Sequence, residues 1–261
     1  MIDTHCHLTE PRLHEQLAAV MERAAAAGVA HVITIGTHSA DWPACLDVCR
    51  QYPNVRCALG VHPNYCHEAD LTDLQKLRSI VAGSAVDSPL VALGEMGLDY
   101  HHADSPRQRQ AEFFRAQLEM AIAADRPVVI HCREAVDDAL AILKDYPAIR
   151  GVFHCFTGTA AESRRIVSAG FYVGFTGVVT YKNAPEVRQS AFEMPADRLL
   201  VETDAPWLSP EPMRRQKINE PALVIHTAEA IAAVRHTTGA EIDRISTANA
   251  ARLFAWPRQT G

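Results

Sequence analysis

Short runs in which nearly every position is apolar or β-branched recur along the chain, separated by longer stretches with helical spacing. The runs are MIDTHC (1–6), HVITIG (31–36), VRCALGV (55–61), LVALGE (90–95), PVVIHC (127–132), GVFHCF (151–156), FYVGFTG (171–177) and RLLVETD (198–204). Runs without a polar face describe strands covered on both sides, as parallel strands are. Between the first two runs, Leu13, Leu17, Val20, Met21 and Ala24 mark one helix, with Gly28 placed to end it. Phe113, Phe114, Gln117, Leu118 and Ala121 mark another, with Ser105 as its cap and Pro106 as its first position. Ala139, Ile142 and Leu143 mark a third, and residues 222–236 and 240–255 read as two more, separated by HTTG (236–239).

Strand starts recur roughly every thirty residues, the size of one βα unit. Eight such units predict an α/β fold of the (β/α)8 TIM-barrel class, as a single domain over residues 1–261. An open doubly wound sheet competes, but it places a glycine-rich phosphate turn after its first strand. None follows IDTHCH. No linker, low-complexity tract or charge block divides the chain.

Composition narrows the setting. The chain has 261 residues, 48% of them hydrophobic, and no run long enough to span a membrane. No basic region or apolar core precedes the first strand pattern, so the expected location is cytoplasmic. The seven cysteines are odd in number and lack a C-x-x-C pair, which predicts reduced thiols. Net charge is -6, from 25 basic and 31 acidic side chains. Broad electrostatic coating of duplex nucleic acid is therefore not expected, although a local phosphate site is allowed.

The unusual polar residues collect at the predicted strand ends. In IDTHCH, Asp3, His5 and His7 alternate and share one strand face. His62 closes strand 3, Glu95 strand 4, His131 strand 5, His154 strand 6 and Asp204 strand 8. In a barrel these ends form one rim, where active sites of the fold sit. Imidazoles and carboxylates gathered in a nearly dry place need a cation to offset their cost. His5, His7, His131, His154, Glu95 and Asp204 exceed one tetrahedral site and suit a pair of divalent ions bridged by a carboxylate and a water. Glu95 is the expected bridge, because its strand stands opposite strand 8 in ring order. The mixed nitrogen and oxygen set suits zinc, manganese or iron, and magnesium less well.

Other residues keep two readings. Asp204 can take a proton from the attacking water as well as ligate. Glu202 faces the same way and either supports the ligands or lines the barrel, bonded to a neighbouring strand. Asp3 is a candidate orienter of a ligand imidazole. Arg133, two residues past His131, and His62 are candidate substrate contacts. His101 and His102 follow GLDY in a loop, where solvated histidines are ordinary. Arg214, Arg215 and Lys217 form a small basic cluster on the loop after strand 8. Asn219, Glu220 and Pro221 start a helix after it. His14, His31, His38, His67, His226 and His236 are assigned no chemistry.

IDTHCHL, GVHP, LGEMGLDY, VVIHCREA, FHCFTG, VETDAPWL, INEP and TANAARLF, in this order from residue 2 to about 254, resemble the TatD family of metal-dependent hydrolases within the amidohydrolase superfamily. The resemblance implies a TIM barrel with two divalent metals, zinc, manganese and magnesium all being open. By position, His5 and His7 would serve one metal with Asp204 beside them. Glu95 would bridge, and His131 and His154 would serve the second. Many superfamily relatives bridge with a carboxylated lysine, but Lys76 and Lys144 fall on predicted helices and Glu95 takes that place. The family's IGLDY reads MGLDY here, and its RNEP reads INEP, so Ile218 removes an arginine from the rim loop.

The resemblance implies a deoxyribonuclease of the 3′-5′ exonuclease type, with nucleic-acid substrate held as single-stranded DNA ends. The alternative is an ester or amide hydrolase using the same ligands, such as a deacylase of D-aminoacyl-tRNA. A noncatalytic role fits poorly, because structural metal sites are closed cages rather than open rims.

Overall fold

The structure, a computed structural model, describes residues 1–84, 88–102 and 106–256. Its strands are β1 (Ile2–Cys6), β2 (His31–Gly36), β3 (Val55–Leu59), β4 (Leu90–Asp99), β5 (Val128–Arg133), β6 (Gly151–Phe153), β7 (Tyr172–Phe175) and β8 (Leu199–Val201). They stand in one sheet in sequence order, and the pairings of β1 with β2, β3 with β4, β4 with β5, β5 with β6 and β7 with β8 are parallel. The helices are α1 (Pro11–His14), α2 (Leu17–Ala26), α3 (Trp42–Gln51), α4 (Leu71–Ala82), α5 (Arg107–Ala123), α6 (Val136–Leu143), α7 (Ala160–Ser168), α8 (Pro185–Glu193), α9 (Val224–Val234) and α10 (Gly239–Leu253). Beyond β8 the chain returns to β1: the Asp204 N–H donates to the His5 carbonyl at 2.9 Å and the His7 N–H to the Ala205 carbonyl at 2.8 Å. This is the (β/α)8 topology that the hydrophobic pattern predicts.

The chain divides into two compact units, Met1–Thr34 with Cys155–Gly261, and Ile35–His154. In the first, all five positions of β1 and all three of β8 are buried. Burial takes the acids with it. Asp3 and Glu202 are both fully buried, and each accepts hydrogen bonds at both carboxyl oxygens. Glu202 accepts from the Cys155 N–H at 2.5 Å and from the Thr4 hydroxyl at 3.1 Å. It stands over Gly174 of β7, where a Cβ would lie 2.5 Å from Glu202 Oε2.

In the second unit β4 is longer than the sequence pattern predicts. It runs four residues past Glu95, pairing Gly97, Leu98 and Asp99 with His131, Cys132 and Arg133 of β5. Glu95 therefore lies within its strand rather than closing it. The extension depends on Gly97, whose φ is +139° and whose absent Cβ would sit 2.1 Å from the His131 carbonyl oxygen.

Other boundaries also differ. The helix expected over Leu13 to Ala24 is two, α1 and α2. The Gln16 side chain donates to the Arg12 carbonyl at 3.0 Å, taking the acceptor that its own backbone N–H would need to continue the helix. That N–H goes instead to the Leu13 carbonyl. Pro106 is the residue before α5 rather than its first position, because its ψ of 137° is extended. Ser105 lies outside the described residues. All seven cysteines are free thiols. Among the described residues no helix is long and apolar enough to cross a membrane.

Candidate metal centre

Each unit carries a cluster of imidazoles and carboxylate at the C-terminal ends of its strands. In the first, His5 lies in β1 and His7 one residue past its end, and Asp204 stands three residues beyond β8. His5 is fully buried and His7 nearly so. His5 Nε2 and His7 Nε2 are 3.2 Å apart, and Asp204 Oδ1 lies 3.6 Å from the first and 3.5 Å from the second. A tetrahedral cation with bonds of 2.0–2.1 Å holds its ligand atoms roughly 3.4 Å apart. The three edges bracket that length, so the donors fit a zinc-sized ion without rearrangement.

Backbone bonds place these donors. Asp204 adopts a left-handed φ of +56°, which aspartate tolerates better than most side chains. Asp3 Oδ1 accepts from the Thr203 N–H at 2.9 Å and the His5 N–H at 3.3 Å, while Oδ2 accepts from the Thr203 hydroxyl at 2.6 Å. Asp3 thus ties β1 to the segment after β8 through two backbone N–H groups and the Thr203 hydroxyl; none of these bonds goes to an imidazole. Burial pushes its carboxyl up to about 8, although the bonds from Thr203 and His5 oppose the rise. Glu202 is bonded to β1 through the Thr4 hydroxyl, and its bond to the Cys155 N–H holds the turn that follows His154, where Cys155 has φ +45°.

In the second unit Glu95 Oε1 is the centre of three imidazoles. It lies 2.7 Å from His131 Nδ1, 2.6 Å from His154 Nε2 and 3.3 Å from His62 Nε2. Burial pushes the Glu95 carboxyl up, but the neighbouring His154 and His62 and the bonds from His131 and His154 override it and hold it well below the usual range. His131 Nδ1 and His154 Nε2 are 3.3 Å apart, again a tetrahedral edge. His62 is depressed by burial and by the nearby His131 and His154, despite Glu95.

The other nitrogen of His131, Nε2, lies 2.9 Å from Asp99 Oδ2. Burial lowers the His131 pKa, but its bonds to Asp99 and Glu95 raise it above the ordinary value. A carboxylate only accepts, so Asp99 keeps a proton on Nε2, and Nδ1, which donates to Glu95 here, is the nitrogen that a cation would take over. His102 Nδ1 also meets Asp99 Oδ2, at 3.0 Å. Arg133, the last residue of β5, is exposed, and its guanidinium makes no ion pair among the described residues.

Over residues 2–255 the chain matches the family described as TatD related DNase. The chain belongs to the TatD family. It is 39% identical to the uncharacterized metal-dependent hydrolase YabD of Bacillus subtilis over 97% of this chain and 98% of that one. It is 36% identical to the 3′-5′ ssDNA/RNA exonuclease TatD of Erwinia tasmaniensis, over 97% and 99%. Among solved structures, the TatD homologue YJJV of Escherichia coli superposes with a TM-score of 0.93 at 29% identity, over 98% of both chains.

Of the residues singled out from sequence, His5, His7 and Asp204 lie together in one cluster, and Glu95, His131 and His154 in the other. Asp99 was not among the expected functional residues of this TatD chain. Asp99 lies four residues after Glu95 on β4, beyond the point where the apolar run predicts the strand to end, so the hydrophobic pattern did not point to it. An exposed aromatic was missed as well: Trp207, in VETDAPWL, meets the His7 ring edge-on at 4.9 Å and is 42% exposed.

Proposed function

We propose that this chain is a divalent-metal-dependent nuclease that removes nucleotides from the 3′ ends of single-stranded DNA. One cation would be held by His5, His7 and Asp204, and one by Glu95, His131 and His154, with Glu95 as the bridge that the sequence resemblance implies. Bound there, the pair would supply Lewis-acid activation of a phosphodiester and of water. Zinc, manganese or magnesium can serve, the imidazoles favouring the first two.

The protein's own groups do the rest. Asp204 combines a ligating oxygen with 15% side-chain exposure, which suits a carboxylate that receives a proton at the open side of its cluster. Asp99 holds the His131 ring in the tautomer that ligates. Arg133, exposed two residues beyond His131, would grip the phosphate next to the scissile one, and His62 would contact the substrate from beside Glu95. A net charge of -6 suits recognition of strand ends in a small pocket better than a long duplex groove. The observation that carries this reading is the pair of clusters, each combining imidazoles with one carboxylate whose ligand-type atoms all lie within 4.8 Å of one another. A relative at 36% identity that carries the name of a 3′-5′ ssDNA/RNA exonuclease supports the choice of substrate.

The test incubates purified protein with end-labelled single-stranded DNA and, separately, with aryl phosphodiester and carboxylic ester substrates, with and without chelator. A 3′-5′ ladder that vanishes with chelator, in His131→Ala and in Asp204→Ala is the expected result. Ester cleavage with intact DNA would replace this reading with the ester hydrolase alternative.

A further inference from the structure

The INEP motif lies outside both ligand clusters, yet its asparagine is among the most completely buried polar side chains of the protein. Asn219 has no exposed surface. Its side-chain amide donates to the Thr203 carbonyl at 2.9 Å and to the Trp207 carbonyl at 2.6 Å. Its backbone N–H donates to the Pro206 carbonyl at 3.0 Å. One residue therefore takes three acceptors from the five-residue stretch 203–207, and Asp204 sits inside that stretch.

The clamp is itself anchored. Asn219 Oδ1 accepts from the Glu220 N–H at 2.9 Å. The Glu220 carboxylate is forked by Arg23 of α2, with Arg23 Nε to Oε1 at 2.8 Å and Arg23 Nη2 to Oε2 at 2.6 Å. A bidentate pair of this kind fixes orientation as well as distance. The order is thus α2, Arg23, Glu220, Asn219, then the loop that carries the ligand carboxylate.

We propose that Asn219 is a positioning residue for Asp204, holding the loop 203–207 so that the Asp204 carboxylate meets His5 and His7 at ligand spacing. The reason is energetic. Asp204 has φ +56° and Trp207 donates its N–H back to the Asp204 carbonyl at 3.0 Å, a tight turn that leaves the Thr203 and Trp207 carbonyls pointing inward. Only a side chain with two N–H donors on one atom satisfies both carbonyls at once, and asparagine is the shortest that does. Aspartate has the same shape but presents oxygen to oxygen.

This inference rests on the proposed metal site, so the experiment reads the clamp and the metal separately. In chelator-treated protein, Asn219→Asp is compared with the natural chain by amide hydrogen exchange. Exchange at the Asp204 and Trp207 amides is expected to rise at least tenfold, with the strands of residues 35–154 unchanged. Unaltered exchange at 203–207 overturns the proposal, whatever the protein does with metal. Titration of the same proteins with Mn²⁺ then reads the consequence. Asn219→Asp is expected to weaken, at least tenfold, the same binding step that Asp204→Asn weakens, and to leave the other step in place. Equal weakening of both steps, or a lower Tm with both steps intact, would reduce Asn219 to a general structural role and overturn the proposal. If Asn219→Asp does not fold, Asn219→Ser, which keeps one donor and adds no charge, is put through the same two measurements. A natural chain that binds no Mn²⁺ at all refutes the metal reading, while the exchange result still decides the clamp.

Discussion

Replacing Asp99 by asparagine should damage metal binding more than deleting its side chain. Asp99 is 1% exposed, and its Oδ1 accepts the backbone N–H groups of His101 and His102, each at 2.9 Å. Those two donors would claim the oxygen of an asparagine at this position and turn its NH2 group toward His131 Nε2. Nε2 would then have to accept, which moves the ring proton to Nδ1, the nitrogen 2.7 Å from Glu95 and the one placed to ligate. Asp99→Ala removes the orienting bond without imposing the wrong tautomer. Loss of a carboxylate behind a ligating histidine costs about 10- to 100-fold in metal affinity, or about 1.4 to 2.8 kcal/mol. Asp99→Ala should fall near the lower end and Asp99→Asn at or beyond the upper one. The assay is calorimetric titration of chelator-stripped protein with Zn²⁺ or Mn²⁺, following each of the two binding steps. One step should weaken and the other should stay. An asparagine variant that binds both equivalents like the natural protein, or an alanine variant worse than the asparagine one, would refute the tautomer argument.

Arg133→Ala should raise KM for a single-stranded oligonucleotide several-fold with little change in kcat, read from initial rates at several salt concentrations. Gly174→Ala would place a Cβ 2.5 Å from Glu202 Oε2, and because Glu202 cannot move without releasing Cys155 and Thr4, a loss of about 1–3 kcal/mol is expected in denaturant unfolding. Asp73, in the capping box that opens α4, is held below its ordinary 3.8, first by a bond from Ser39 and then by Asp70 N–H and Lys76. A depressed carboxyl stabilises the fold above its unfolded pKa and ceases to as pH falls through its folded one. The destabilisation caused by Asp73→Asn should therefore be full at pH 7 and shrink as the pH falls below 3.8, read from paired unfolding curves. Thiol titration in denaturant without reductant should count seven thiols, while Cys66 in the native state, 1% exposed and with burial pushing its thiol up to about 12, should resist alkylation at pH 8.

The strand count, the strand order and the six side chains that cluster at the strand ends were legible in the sequence. Strands buried on both faces leave uninterrupted apolar runs, and a polar residue at the end of such a run stands out against them. Val128, Val129 and Ile130 before His131, and Leu199, Leu200 and Val201 ahead of Asp204, are clear cases. What the chain alone did not decide is where strands stop and what holds the ligands. β4 continues to Asp99 because Gly97 lets it approach the His131 carbonyl, a contact with a residue 34 positions away in the chain. Gln16 splits a helix by a side-chain bond that helical periodicity does not register. Asp3 and Glu202 stood out only by their alternation with His5 and Asp204, and Asp99 and Asn219 are ordinary letters in the sequence. Each draws its role from a hydrogen bond to a backbone or ring brought near by folding. Hydrophobic burial is nearly nondirectional and writes itself into local patterns, whereas hydrogen bonds are short and directional, so their partners exist only once the strands have met.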